Sequence, residues 1–441
     1  MWFQWITGSA FYVTAPEVTS GAVGTTAFVY RVSAQLYHNL LFLLNYLSLY
    51  RIGYIPCSMA QVSALRIALA GALALAVAMG IGRFAFTPIL PMMQEDAGLT
   101  VVSGGYLASA NYLGYLLGSL IATRLQLRDD VAVLGSMLLI GMATLAMGLV
   151  GNYALWLVLR LVAGIANAWI AIFAFSWCLD RLAVLQRPVL NSLIFTGVGF
   201  GTMLAGLICI VLMRIDASSA QAWLTFGVLA LAITAAVWTT YAGGGTAHHA
   251  APRPRSRGVP WSREAVLLVF CFGASGFGYI IPATFLPAMA REIVRDPAIF
   301  GWAWPLFGAA AMASTIFAAA LLRGYAPRRV WMVCHLVMAF GVVLPVLWSG
   351  LAAIMVAALC VGGTFMVITM LSIQEARAVA GAHVVPLTAA MTASFALGQI
   401  LGPLAAGALL GAGFSFASGL LVAGAVLVVS AVALHTGTRS A

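Results

Sequence analysis

The sequence predicts an all-α integral membrane protein of twelve transmembrane helices, built as two parallel six-helix repeats. Three observations lead there. The chain of 441 residues is 63% hydrophobic and carries 21 basic and 11 acidic residues, where a soluble chain of this length would carry roughly 110 charged groups. Apolar runs of about 20 residues, enough to cross a hydrocarbon core, recur with short breaks from Arg66 onward. Glycine and proline patterns return at constant offsets six runs later. Too little charge is present to cover a soluble globule. Soluble enzymes, nucleic-acid-binding domains and secreted disulfide scaffolds are therefore excluded.

The expected spans are 67 to 92, 102 to 123, 131 to 151, 153 to 178, 189 to 213 and 220 to 241, then 264 to 289, 299 to 322, 330 to 348, 351 to 374, 385 to 411 and 414 to 435. A first six-helix bundle thus occupies 59–241 and a second 264–441. Between them, 242–263 contains "GGGTAHHAAPRPRSRGVPWSR", rich in Gly, Pro and Arg, which reads as a solvated linker. Residues 1–58 stand apart. Their apolar stretch "NLLFLLNYLSLY" is short for a span and lacks the flanks of a cleavable signal, so this segment is expected to be an extension outside the bundle, with Met59 as the natural start.

All 21 basic residues are arginines, and their placement orients the chain. With the start of the first span cytoplasmic, the inner segments carry Arg66, Arg124, Arg128, Arg181, Arg187, Arg253, Arg255, Arg257, Arg263, Arg323, Arg328, Arg329, Arg377 and Arg439, against Arg214, Arg291 and Arg295 outside. That asymmetry puts the bundle termini and the linker on the cytoplasmic side of the membrane. The cysteines (Cys57, Cys178, Cys209, Cys271, Cys334, Cys360) are scattered without CxxC spacing and read as reduced packing residues. His248 and His249 have no carboxylate or thiol companions, so no metal and no cofactor is expected.

The repeat is visible in two places. "GIGRFAFTPILPMM" (80–93) and "GFGYIIPATFLPAM" (276–289) share Gly80/Gly276, Gly82/Gly278, Leu90/Leu286, Pro91/Pro287 and Met93/Met289 at an offset of 196. In the fifth and eleventh spans Gly197, Gly201 and Gly206 match Gly398, Gly402 and Gly407 at an offset of 201. GxxxG spacing by itself signals close helix packing. The order of the matches argues for duplicated halves around an axis along the membrane normal, with a solute site between them.

These motifs, "GIGRFAFTPILP", "GFGYIIPATFLPA" and "GQILGPLAAG", resemble the YbfB/YjiJ-like bacterial branch of the major facilitator superfamily over about residues 60–436. The resemblance implies an inner-membrane secondary transporter of twelve helices in which helices one, four, seven and ten line a central cavity. Two departures stand out. Ala122 holds the place of the usual Asp four residues after Gly118, and Thr202 follows Gly201 where exporters carry Pro, which here occurs as Pro403. The first puts the usual gating ion pair in doubt and the second weakens an exporter reading.

Charged groups inside a span are costly and mark function by default. Only Arg83 and Arg160 lie well inside, about 24 Å and about 10 Å from the starts of the first and fourth spans at 1.5 Å per residue. Together they predict a positive pocket in the first half. Arg83 corresponds in the repeat to Tyr279, flanked by Phe277 and Ile280, so guanidinium on one side faces a phenol and an apolar wall on the other. Thr87 and Asn167 complete the expected substrate-binding set of Arg83, Arg160, Tyr279, Thr87 and Asn167. Pro88 is expected to disturb the first helix and free carbonyl groups. An alternative for Arg160 is hydrogen bonding to nearby backbone or to Asn111. Gly80, Gly82, Pro88, Pro91, Gly197, Gly201, Gly276, Gly278, Pro287, Gly398, Gly402 and Pro403 are read as gating and packing positions.

No Asp or Glu falls in the middle of a span. Glu375, beside Gln374 at the end of the tenth helix, reads first as a solvated helix-end charge and is otherwise the closest candidate for handling a coupling proton. His335 reads as a packing residue. The expected activity is alternating-access movement of a small organic anion or a carboxylate-bearing zwitterion, by a monomer. An amphipathic or multidrug exporter of the same superfamily is the alternative. A membrane-embedded transferase is remote, since it needs a His, Asp or Glu cluster.

Overall fold

The computed structural model describes residues 63–122, 127–186, 190–242, 261–294, 296–321, 324–348, 350–381 and 384–437. The predicted extension 1–58 and most of the predicted linker 242–263 lie outside the described residues. Among the described residues the chain forms twelve long helical rods. They are α1 (Ala64–Asp96), α2 (Val101–Ala122), α3 (Asp129–Leu149), α4 (Tyr153–Val184), α5 (Asn191–Arg214), α6 (Ser219–Ala242), α7 (Arg263–Ile293), α8 (Ala303–Leu321), α9 (Pro327–Leu347), α10 (Leu351–Ala380), α11 (Val384–Gly411) and α12 (Phe416–Thr436). Ten of these are both long and apolar enough to cross a membrane. Of the others, α2 interrupts its apolar run with Ser103, Ser109, Asn111 and Ser119, and α8 is the shortest rod and follows a single turn at Pro297–Phe300.

The rods outrun the apolar runs because their ends are capped by polar groups. Ser63 accepts from Arg66 N before α1, Asn152 accepts from Ala154 N and Leu155 N before α4, and Ser262 accepts from Ala265 N before α7. Each satisfies orphan donors of a first turn. At its far end α4 continues past the predicted residue 178 through Asp180 and Arg181, into polar surroundings where charge is tolerated.

Helix packing repeats with an interval of six. α2 packs on α4 as α8 does on α10, α3 on α6 as α9 on α12, α3 on α4 as α9 on α10, and α1 on α5 as α7 on α11. Between halves the equivalent pairs are α2 with α11 and α5 with α8. This is the parallel duplication that the glycine offsets predict. The motif glycines explain how closely the rods meet. A Cβ at Gly197 would sit 2.0 Å from the Ala72 carbonyl oxygen, and one at Gly398 would sit 2.3 Å from that of Gly273. Gly201 lies against Ala76 and Gly402 against Ile280. The same edge of α5 and α11 thus serves α1 and α7, and only hydrogen fits there.

One rod departs from regular geometry. Within α1, residues Ala76–Phe84 are π-helical before α-helix resumes at Phe86. Pro88 then falls in the first turn of the resumed segment, where its missing N–H costs least. The expected disturbance is thus placed one turn ahead of the proline, and it surrounds Arg83. A π turn inserts an extra residue and marks functional positions.

The glycine contacts carry a prediction. Gly197→Ala should lower the thermal midpoint of the detergent-purified protein by an amount equivalent to about 1–3 kcal/mol, because backbone must move. Gly135→Ala, with nothing within 4 Å of its added carbon, should leave the midpoint unchanged or raise it slightly. Equal midpoints for both variants would show that the α1/α5 contact is loose.

Candidate functional site

The two intramembrane arginines are both buried, Arg83 to 4% exposure and Arg160 to 2%. Their environments differ. Arg83 projects from the π-helical part of α1, and its Nη2 donates to Gln399 Oε1 on α11. Gln399 in turn donates from Nε2 to the hydroxyl of Tyr279 on α7. The guanidinium carbon lies 4.8 Å from the Tyr112 ring centroid, 5.0 Å from Tyr115 and 5.5 Å from Phe84, and Nη1 is 3.8 Å from Met79 Sδ. Nε has no hydrogen-bond partner. Among the described residues, no ion pair involves Arg83. A full charge is thus held by π faces, a thioether and one neutral amide.

Arg160, from α4, turns to the backbone of α1. Its Nη1 donates to Gly82 O at 3.1 Å and its Nη2 to Arg83 O at 3.3 Å, with its guanidinium carbon 4.9 Å from the Phe86 ring. Asn111 on α2 joins them, donating to Gly82 O at 3.3 Å and Arg160 O at 3.0 Å. Asn167, with its amide oriented to satisfy both groups, donates to Ala78 O at 2.8 Å and Ala163 O at 3.3 Å. Three carbonyls of the π-helical segment, those of Ala78, Gly82 and Arg83, thus accept from a three-residue polar clamp. Gly82 makes room for it, since a Cβ there would press on the Asn167 amide.

The structure brings Arg83 and Tyr279 together, through Gln399. It directs Arg160 and Asn167 to the α1 backbone, the alternative raised for Arg160 on sequence grounds. Thr87 Oγ1 donates to Ala283 O at 2.8 Å on α7. Gln399 was absent from the sequence-derived set. A neutral amide inside "GQILGPLAAG" reads as part of a packing motif, but its repeat equivalent is Val198, and a polar group replacing an apolar one across a duplication was the available signal.

On the second half, aromatic rings form a continuous wall beside Arg83. Tyr279 lies parallel to Phe365 and Phe395 at centroid distances of 5.4 and 5.6 Å. Phe365 continues to Phe307 at 5.4 Å, and Phe307 stacks on Trp304 at 4.7 Å. Phe84 of α1 meets Trp304, Phe307 and Phe365 edge-on or tilted within 6.4 Å. Such geometries stabilise each pair by about 0.5–1.5 kcal/mol beyond burial.

Polar ties between halves gather toward the end of the bundle where α1 leads into α2. Besides Thr87 with Ala283, Arg291 pairs with Glu95 at 2.6 Å and donates to Pro91 O. Tyr112 and Thr284 hydroxyls lie 3.3 Å apart, and Ser109 donates to Ile400 O at 3.3 Å. Accordingly α1 packs on α7 through its last segment, Phe86–Asp96. At the opposite end the ties of Arg66 to Thr239 and Thr240 stay within the first half, and those of Arg328 to Glu375 and Gly437 O within the second. Glu375 is thus a buried ion-pair partner, 3.1 Å from Arg328. His335 is fully buried, its Nε2 2.7 Å from Ser275 Oγ and 3.1 Å from Trp331 Nε1.

Duplicated six-helix halves meeting around a buried cation and an aromatic wall are the architecture of a multi-pass membrane transporter, and the family match makes it one of the major facilitator type, which moves a small molecule and is not an enzyme. Residues 75–435 match the family described as "Uncharacterised MFS-type transporter YbfB", and the chain belongs to that family. Among solved structures the fold is similar to that of a mutant of the nucleoside transporter NupG, with a TM-score of 0.67 and 13% identity over 85% of this chain and 100% of that one. No curated protein matches the chain.

The clamp predicts a stability effect. Arg160→Leu leaves Arg83 O short of its side-chain donor and Gly82 O with only the longer bond from Asn111, a loss of about 1–3 kcal/mol, and should lower the thermal midpoint. Asn111→Leu should lower it less, because Gly82 O keeps its bond from Arg160. Midpoints unchanged in both variants would contradict the clamp.

Proposed function

We propose that this transporter carries a small organic anion, or a zwitterion bearing a carboxylate, across the bacterial inner membrane by alternating access, with Arg83 as the group that grips the carboxylate. The observation that carries the reading is a buried guanidinium without an acidic partner among the described residues, one of its N–H groups still unpaired. A carboxylate supplies the missing charge and fits the planar fork in a bidentate manner. Tyr279 and Gln399 face it from the second half, and Arg160, Asn167 and Thr87 serve by fixing the shape of α1. Gly80, Gly82, Gly276 and Gly278, with Pro88, Pro91, Pro287 and Pro403, let α1, α7 and α11 reshape as the halves move.

The halves are residues 59–241 and 264–441, rocking as units about the site with the linker between them in the cytoplasm. The arginine asymmetry assigns the end tied by Arg291, Glu95 and Thr87 to the periplasmic side, so this conformation is closed outward. Glu375 is the candidate for handling a coupling proton, since protonation would break its pair with Arg328. The transporter works as a monomer.

Nucleoside transport is the second reading. It is favoured by the fold shared with NupG and by the aromatic wall, on which a base could stack. Multidrug export is the third, weakened by Thr202 and by the positive charge at the site, which repels the cations such exporters carry. Thermal-shift measurement on the purified full chain separates all three, using benzoate, pyruvate and glutamate, uridine and adenosine, and tetraphenylphosphonium, on wild type and Arg83→Ala. A carboxylate should stabilise wild type, by about 2.7 kcal/mol at a hundredfold excess over Kd, and not the variant. Stabilisation by a nucleoside or by the cation, retained in Arg83→Ala, would overturn the anion reading.

A further inference from the structure

Gln399 is fully buried on α11 and joins two groups from different halves of the molecule. Its amide oxygen accepts from Arg83 of the first half, while its amide nitrogen donates to Tyr279 of the second. An amide oxygen presents the same planar lone pairs as one oxygen of a carboxylate, without the charge and without the second acceptor. Gln399 therefore occupies the place on the guanidinium that an anionic substrate would take. It is a weak occupant, because a charged bidentate acceptor binds a guanidinium roughly twice as strongly as a neutral one. The link also crosses between the halves at the inner limit of the ties that run from Arg291 and Glu95 through Thr87 and Tyr112.

We propose that Gln399 is a substrate-mimicking latch: it holds Arg83 to the second half when the site is empty, and a substrate carboxylate displaces it, freeing the tied end of the bundle to part. The inference rests on the reading of Arg83 as a carboxylate-binding group. A ligand moves a conformational equilibrium only by its differential affinity for the two states. Displacement of Gln399 provides that difference, since carboxylate and amide compete for one fork and only the amide belongs to the opposite half. The choice of Gln rather than Glu at this position then has a physical reason. A carboxylate fixed on α11 would satisfy Arg83 permanently and lock the halves together.

The test uses the full chain with Ser109→Cys as reporter, because Ser109 is buried at the tied end against Ile400, and follows its rate of maleimide labelling against the parent chain. Gln399→Leu should raise the rate at least about tenfold, the factor corresponding to one hydrogen bond to a charged group. Gln399→Glu should lower it below the parent rate. Benzoate, pyruvate and glutamate serve as probes. At least one should speed labelling of the Gln399-containing chain and have no effect on the Gln399→Glu chain. Changes in the same direction for Leu and Glu would reduce Gln399 to a packing residue and overturn the latch. A carboxylate that accelerates the Gln399→Glu chain as much as the parent would overturn displacement while leaving Arg83 as its binding group. Failure of every probe to act on the parent would overturn displacement together with the carboxylate reading.

Discussion

A positive charge held inside a membrane-spanning bundle, with no acid among the described residues to neutralise it, is the constraint on which the rest of this structure depends. An arginine at the centre of a span costs about 2.5–3.5 kcal/mol on insertion scales and more in simulations of isolated helices, so Arg83 persists only because its surroundings return that cost. Those surroundings are specific. Tyr112, Tyr115 and Phe84 turn their rings toward the guanidinium, the π turn places the side chain between the halves, and Gln399 supplies one neutral acceptor. None of these removes the charge. The guanidinium keeps its charge, and that is the basis of the proposal that it takes an anion.

The duplication shapes how that site is built. Two of the ties between halves join a residue to its own repeat equivalent: Thr87 to Ala283 and Glu95 to Arg291, each 196 residues apart. Contacts between equivalent positions fall on the pseudo-twofold axis, so α1 and α7 cross there. Chemistry enters where the repeat is broken. Arg83 faces Tyr279 as its equivalent, Glu95 faces Arg291, and Gln399 stands where the first half has Val198. Equivalent scaffolds hold complementary groups along the line of those differences. The glycine edges of α5 and α11, by contrast, are kept alike because both halves need the same close approach to α1 and α7.

Much of this was legible in the residues. Apolar runs give the twelve rods because membrane helices satisfy their own backbone and need only length and composition. Arg83 and Arg160 stand out for the same reason, as charge where charge is expensive. Which of them turns to the backbone of α1 and which to the second half was not legible, since it depends on a π-helical register that no local sequence rule locates. The "TP" of Thr87 and Pro88 indicated disturbance but not its register. Gln399 escaped because its partners are 316 and 120 residues away and an amide carries no charge to draw attention. Glu375 was read as a helix-end charge, and its partner Arg328 lay at the start of a different helix.

The most direct measurement is isothermal titration of the purified full chain with the carboxylate that stabilises it best, comparing wild type with Arg83→Lys. Lysine keeps the charge and loses the planar fork. If Arg83 grips a carboxylate in a bidentate manner, affinity should fall by at least about tenfold, equivalent to 1.4 kcal/mol, with Gln399 and Tyr279 intact. Equal affinity in the two proteins would contradict the account and assign Arg83 to the framework of the bundle.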